Sequence, residues 1–188
     1  MSEVSIHFDE IAKDYDSYKK KNKFYYDNLK KLLSELIIPN KIVLEVGCGT
    51  GELLHSLKPK LGYGIDISPE MIKMAKAKYA KSKNLSFSIN KVTDFKVKNL
   101  DYILLSDVIE HLEEPEKMFS NISKIMTNES KLIITMANPI WEPLLVLWEK
   151  LGWKMKEGPH RRFKYNEIVK MLEKSNLKIE KHDYYLLM

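Results

Sequence analysis

Three glycines at alternate positions, in Gly47-Cys48-Gly49-Thr50-Gly51, constrain the fold of this chain more than any other feature. They follow the apolar run Ile42–Val46 and precede Glu52-Leu53-Leu54, a strand–turn–helix pattern. A glycine turn in that place lets the backbone approach a ligand with no Cβ in the way. Further short apolar runs follow at Tyr63–Ile67, Leu85–Ile89, Tyr102–Leu105 and Leu132–Thr135. They suit strands buried on both faces, as in a parallel sheet. Between them, Ser68-Pro69-Glu70 opens a helix with a cap residue, a first-turn proline and an acid at the positive end of the helix dipole. Strands alternating with helices imply right-handed crossovers and a doubly wound, mostly parallel α/β sheet with helices on both faces.

Helical patterns flank this core. Phe8, Ile11, Ala12 and Tyr15 share one face of a short amphipathic helix, and Tyr25, Leu29, Leu32, Leu33 and Leu36 share one face of a second, stopped at Pro39-Asn40. Beyond Asn138-Pro139, the residues Trp141, Leu144, Leu145, Trp148 and Leu151 line another helix. That face admits three readings: core packing, the wall of a cavity for an apolar substrate, or a membrane-surface contact. Tyr165, Ile168, Val169 and Leu172 mark a further helix, and Leu177–Leu187 reads as a last strand.

Composition narrows the class. With 188 residues, 44% hydrophobic and 30% charged, the chain has the make-up of one globular domain. Its apolar runs fall far short of the roughly 20 residues a membrane span needs, and no apolar signal segment follows a basic start, so a cytoplasmic protein is expected. The lone Cys48 excludes an internal disulfide and a cysteine-based zinc site. The net charge of +5 raises the question of nucleic acid. Only Arg161 and Arg162 are arginine, however, and the lysines are dispersed except for Lys19-Lys20-Lys21 and Lys23. A solvated lysine surface is the preferred reading, and nucleic acid is not expected as a partner.

The glycine spacing also selects the ligand. Gly64-Ile65-Asp66 ends the second strand with an acid able to hold a ribose diol. A dinucleotide turn, G-x-G-x-x-G, needs its third glycine at position 52, which is Glu52 here. The pattern G-x-G-x-G with Glu45 ahead of it suits a ribose-bearing ligand without phosphates and disfavours NAD.

Val43-Leu-Glu-Val-Gly-Cys-Gly-Thr-Gly51, together with Gly64-Ile-Asp-Ile-Ser-Pro-Glu-Met71, resembles the first two motifs of class I S-adenosylmethionine-dependent methyltransferases. Asp101–His111 and Ile133–Pro139 resemble the fourth motif and fifth strand of the same family, with a Rossmann-like sheet as the implied fold. The resemblance implies S-adenosylmethionine as cofactor and S-adenosylhomocysteine as product. It places Gly47, Cys48 and Gly49 along the methionine and ribose portions, Glu45 at the methionine end and Asp66 on the ribose. It puts Ile67 and Met71 beside the adenine, Ser106 on the floor near the sulfonium, and Tyr15 on a helical lid. Cys48 is read as a small turn residue rather than a nucleophile. The third motif departs: Asn90-Lys91-Val92-Thr93-Asp94 leaves either Asp94, after a register change, or backbone groups around Val92 to meet the adenine amine. The implied organisation is one domain over residues 1–188, with a lid at 1–38, a cofactor core at 39–137 and substrate-side helices with the last strand at 138–188.

Methyl transfer is an in-line displacement that needs alignment, exclusion of water and, for a hydroxyl acceptor, removal of a proton. If a helix begins after the fourth strand, Asp107, Glu110 and His111 share one face of it. His111 then stands as a general base, as one ligand of a divalent metal with the two carboxylates, or as a helix cap. The segment resembles the metal-binding one of ubiquinone-biosynthesis O-methyltransferases, yet metal is not favoured. His160, in His160-Arg161-Arg162, is the second catalytic candidate, with a solvated loop as its alternative. The Asn/Asp-Pro-Pro-Tyr signature of amino-methylating relatives is replaced by Ser106-Asp107-Val108, which favours an oxygen acceptor on a small molecule, an apolar one if the tryptophan face lines its cavity. An RNA methyltransferase and a non-catalytic cofactor-binding module are the alternatives. The family's sixth and seventh strands are matched by a single strand signal, so the last edge strand is expected to be missing and the open edge to favour a homodimer.

Overall fold

The computed structural model of the chain describes residues 2–136 and 161–185. Two helices come first, α1 (Glu3–Lys21) and α2 (Lys23–Leu36), and then strand and helix alternate. The order is β1 (Ile42–Val46), α3 (Glu52–Ser56), β2 (Leu61–Asp66), α4 (Pro69–Lys78), β3 (Leu85–Ile89), β4 (Tyr102–Ser106), α5 (Pro115–Ile125), β5 (Lys131–Thr135) and, in the second described stretch, α6 (Tyr165–Lys174). The five strands pair in parallel in the order β3-β2-β1-β4-β5. The order reverses beside β1, so the carboxyl ends of β1 and β4 flank a crevice where ligands of doubly wound sheets bind.

The alternation of side chains along β1 and β4 builds two cores. Leu44, Val46, Ile103 and Leu105 face one side, against Phe119 and Ile122 of α5 and Ile168, Met171 and Leu172 of α6. Val43, Tyr102 and Leu104 face the other, against Leu29 and Leu33 of α2, Leu53 and Leu54 of α3, and Ile72 and Ala75 of α4. Largely apolar sequences in both strands, β1 interrupted by Glu45, are what two buried faces demand. The helix predicted at Ser68 forms with the caps the sequence offered: the Ser68 hydroxyl accepts from the Met71 N–H at 3.1 Å and Pro69 is the first helical residue.

Two expectations are corrected. No α-helix begins directly after β4. Asp107 takes a left-handed φ of 54° and only a single 3₁₀ turn, Ile109–His111, follows. The one-face arrangement of Asp107, Glu110 and His111 therefore does not form. The strand expected over Leu177–Leu187 is also absent where the chain is described: residues 177–185 pair with no strand. Leu177 and Ile179 do pack on the core, which accounts for the two-residue period. The Trp141–Leu151 helix and His160 lie outside the described residues. No helix among the described residues is long and apolar enough to cross a membrane.

Candidate cofactor site

A cavity of about 710 Å³ opens at the carboxyl ends of β1, β2 and β4. Its wall includes Tyr15, Glu45, Gly47, Cys48, Gly49, Asp66, Ile67, Met71, Val92, Ser106 and His111, which the sequence had singled out from five separate segments. Asn90, Lys91 and Thr93 also line it, whereas Asp94 is exposed and stands apart from the wall.

Four N–H groups of the glycine turn are engaged by the protein, that of Gly49 by Asp66. The N–H groups of Gly47 and Cys48 both donate to the Ile65 carbonyl, at 2.8 and 3.1 Å, and the Gly51 N–H donates to the Cys48 carbonyl at 2.9 Å. A phosphate cradle needs such groups free. Their engagement here, with Glu52 holding the first turn of α3 beside Lys30 and Lys78, fits a ligand without phosphates. Gly49 has a φ of 52°, and a Cβ on it would come within 3.2 Å of the Tyr15 ring, so α1 lies directly over the turn. Glu45, buried beneath, accepts from the Leu54 N–H at 3.0 Å and so caps α3. Burial pushes its carboxyl up to about 8. Burial, followed by the nearby Glu45, also raises the Cys48 thiol, which stays protonated as a packing residue should.

Asp66 is the acid at the end of β2. One of its oxygens accepts from the Gly49 N–H at 2.8 Å and the other from the Ser68 N–H at 2.9 Å. A carboxylate has about four acceptor positions. The Ile67 backbone also hydrogen-bonds to Asp66, so the backbone fixes the group in place while acceptor capacity remains for a ligand hydroxyl. A side-chain-free turn, a diol acceptor held rigidly beside it and an apolar flank of Ile67, Met71 and Val92 fit a nucleoside carrying a thioether arm.

A second polar group floors the cavity. Tyr25 donates to Asp107 at 2.8 Å, Thr135 donates to it at 3.3 Å, and the Ser106 and Thr135 hydroxyls lie 3.0 Å apart. Burial raises the Asp107 carboxyl despite these donors. His111 lines the same cavity with Phe8 of α1 edge-on to its ring at 5.3 Å. Glu110 is buried away from the cavity wall, and its carbonyl accepts from the Arg161 N–H at 2.7 Å. Among the described residues no group of three side chains could hold a metal ion.

The family model for a methyltransferase domain matches residues 37–186. The chain belongs to that family, in its class I, S-adenosylmethionine-dependent form. An uncharacterised protein of Methanocaldococcus jannaschii is 33% identical over 129 residues, 68% of this chain and 59% of that one. A malonyl-[acyl-carrier protein] O-methyltransferase of Ilyobacter polytropus is 28% identical, covering 69% of this chain and 50% of that one. The chain spans about half the length of the curated relatives it matches. The magnesium protoporphyrin IX methyltransferase of Synechocystis, solved with S-adenosylhomocysteine, superposes with a TM-score of 0.71 at 21% identity, covering 92% of this chain and 87% of that one.

For a methyltransferase domain, the part the sequence reading missed is the attachment of α1. Asp9 accepts from the Ser68 hydroxyl and, at 3.1 Å, from the Glu70 N–H, so it joins the cap of α4. Asp16 accepts from the Thr50 hydroxyl at 2.6 Å and from Lys78 at 2.9 Å. The Ser5 hydroxyl donates to the Ile67 carbonyl at 3.0 Å. Ser5, Asp9, Asp16 and Lys19 recur at helical spacing. The signal was there, but as a polar stripe instead of an apolar one.

Proposed function

We propose that the chain moves the methyl group of S-adenosylmethionine to an oxygen atom of a small-molecule acceptor. The observation that carries this reading is the convergence of the glycine turn, Asp66, Ser106 and His111 on one cavity beneath α1. Bound S-adenosylmethionine supplies an electrophilic methyl group on a sulfonium. Asp66 takes the ribose hydroxyls; Gly47, Cys48 and Gly49 run beside the thioether arm; Ile67, Met71 and Val92 enclose the adenine; and Glu45 shapes the methionine end. Tyr15 closes over the turn from α1 and excludes water from the reacting atoms. His111 holds the acceptor hydroxyl and removes its proton as the oxygen attacks. An oxygen acceptor is supported by the imidazole at the wall; the relatives include both an O-methyltransferase and an N-methyltransferase.

The test is transfer of labelled methyl groups to a panel of small hydroxyl and carboxyl compounds. Wild type is expected to label at least one, and His111→Ala to lose about 100- to 10,000-fold in kcat with its affinity for S-adenosylhomocysteine intact. Full turnover by the variant would remove His111 from the chemistry, and labelling of RNA instead would overturn the small-molecule reading.

A further inference from the structure

The corner between α1 and α2 carries a basic run that the cofactor site does not use. Lys20 and Lys21 end α1, Asn22 turns the chain, and Lys23 and Phe24 begin α2. These two pairs of side chains are exposed, and none of them lines the cavity. Lys21 holds its ammonium 5.2 Å from the centre of the Tyr18 ring. Among the described residues no carboxylate forms an ion pair with Lys20, Lys21 or Lys23, whereas Lys30, Lys41, Lys73 and Lys78 each have one. Between Asp16, which Thr50 and Lys78 already occupy, and Asp27, one turn into α2, the sequence carries no acid. Lys20 and Lys21 suit the negative end of the α1 dipole, but Lys23 stands in the first turn of α2, where a cation opposes the dipole. Phe24 beside it is 63% exposed, more than any other phenylalanine, leucine or isoleucine among the described residues.

Unpaired ammonium groups around a bare phenyl ring match a surface that is anionic outside and apolar just beneath. Each lysine acts as a point charge on a flexible stem, which tolerates mobile headgroups, and no arginine is present at the corner to grip phosphates bidentately as nucleic-acid recognition prefers. Phenylalanine adds apolar area with no polar tip to keep it in water. We propose that the α1–α2 corner docks on an anionic lipid surface, with Lys20, Lys21 and Lys23 among the headgroup phosphates and Phe24 inserted at the acyl boundary. Tyr15, Lys19, Tyr26 and Lys30 of the same two helices wall the cavity, so this docking sets the cavity beside the lipid.

The test is co-sedimentation of the chain with vesicles of phosphatidylcholine alone and of phosphatidylcholine mixed with phosphatidylglycerol. Wild type is expected to bind the mixed vesicles, to ignore the neutral ones and to be released by added salt. The combined variant Lys20→Ser, Lys21→Ser and Lys23→Ser is expected to bind about 100-fold more weakly, about fivefold for each charge. Phe24→Ser is expected to lose about tenfold, and Phe24→Trp to keep its binding. Each variant is exposed and away from the cavity, and a cooperative melt at the wild-type midpoint shows that it is folded. No sedimentation of wild type, equal binding to both vesicles, or undiminished binding by either serine variant would each overturn the proposal. Retention of single-stranded RNA with no vesicle binding would assign the corner to nucleic acid and overturn it as well.

Discussion

Gly51→Ala isolates the steric logic of the turn. Gly51 caps α3 at a φ of 77°, where an L-residue pays about 1–2 kcal/mol against the right-handed region. A Cβ there would sit 2.5 Å from Cε1 and 2.6 Å from Cζ of Phe87, well inside contact distance. Phe87 has no easy retreat: its ring is buried and also lies 2.6 Å from where a Cβ on Gly64 would stand. Overpacking a core of that kind adds about 1–3 kcal/mol. The expected loss is thus about 2–5 kcal/mol, read as a lower urea midpoint at unchanged slope. Gly49→Ala is the control. Its φ of 52° carries the same backbone term, but its Cβ would meet the Tyr15 ring of α1 at 3.2 Å, which can give by a few tenths of an ångström. Its expected loss is about 1–2 kcal/mol. In the double variant Gly51→Ala with Phe87→Leu the two losses should be less than additive, since the smaller side chain relieves the clash. Equal losses for the two glycine variants, or strict additivity with Phe87→Leu, would refute the reasoning.

Further outcomes follow from the titratable groups and from His111. Glu45 has a folded pKa of about 8, above its ordinary 4.5, so the folded state holds the extra proton between those values. Stability relative to Glu45→Gln is expected to be greatest at the acid end and to fall as pH rises through that window, in urea midpoints taken from pH 5 to 8. A constant difference would contradict it. Asp16 has the opposite sign: burial alone would raise its carboxyl, but the hydrogen bonds from Thr50 and Lys78 outweigh it and hold it below the ordinary range. Its contribution of about 1 kcal/mol should be complete above pH ~4 and disappear on further acidification, so wild type and Asp16→Asn converge at low pH. Hydrogen exchange at neutral pH should show α1 opening more often in that variant. His111→Ala is expected to separate turnover from cofactor affinity, as measured above.

The sheet was legible because β1 and β4 are buried on both faces, and such a strand declares itself by a largely apolar run, interrupted in β1 only by Glu45. The turn was legible because glycines at left-handed positions have few substitutes. Helix α1 was legible only in part. Apolar spacing over Phe8–Tyr15 marks its middle, yet it runs Glu3–Lys21 because Ser5, Asp9 and Asp16 dock it through hydrogen bonds that hydropathy does not register. The segment after β4 misled for a related reason. Helical spacing of Asp107, Glu110 and His111 says nothing about φ, and the left-handed Asp107, fixed by Tyr25 and by its own N–H to the Thr135 carbonyl at 3.1 Å, prevents a helix from starting there. Residues 177–185 show that a two-residue period fits any extended chain laid on a core, paired or not.

The central claim, that this cavity holds the nucleoside of S-adenosylmethionine on Asp66, is tested most directly by calorimetric titration of wild type and Asp66→Ala with S-adenosylhomocysteine. Removing an acceptor of two ligand hydroxyls forfeits charge-assisted hydrogen bonds of about 1.5–3 kcal/mol each. One-to-one binding to wild type, weakened by about 100-fold or more in a variant that still melts cooperatively, is the expected result. Equal affinity of the two proteins, or tighter binding of NAD than of S-adenosylhomocysteine by wild type, would contradict it.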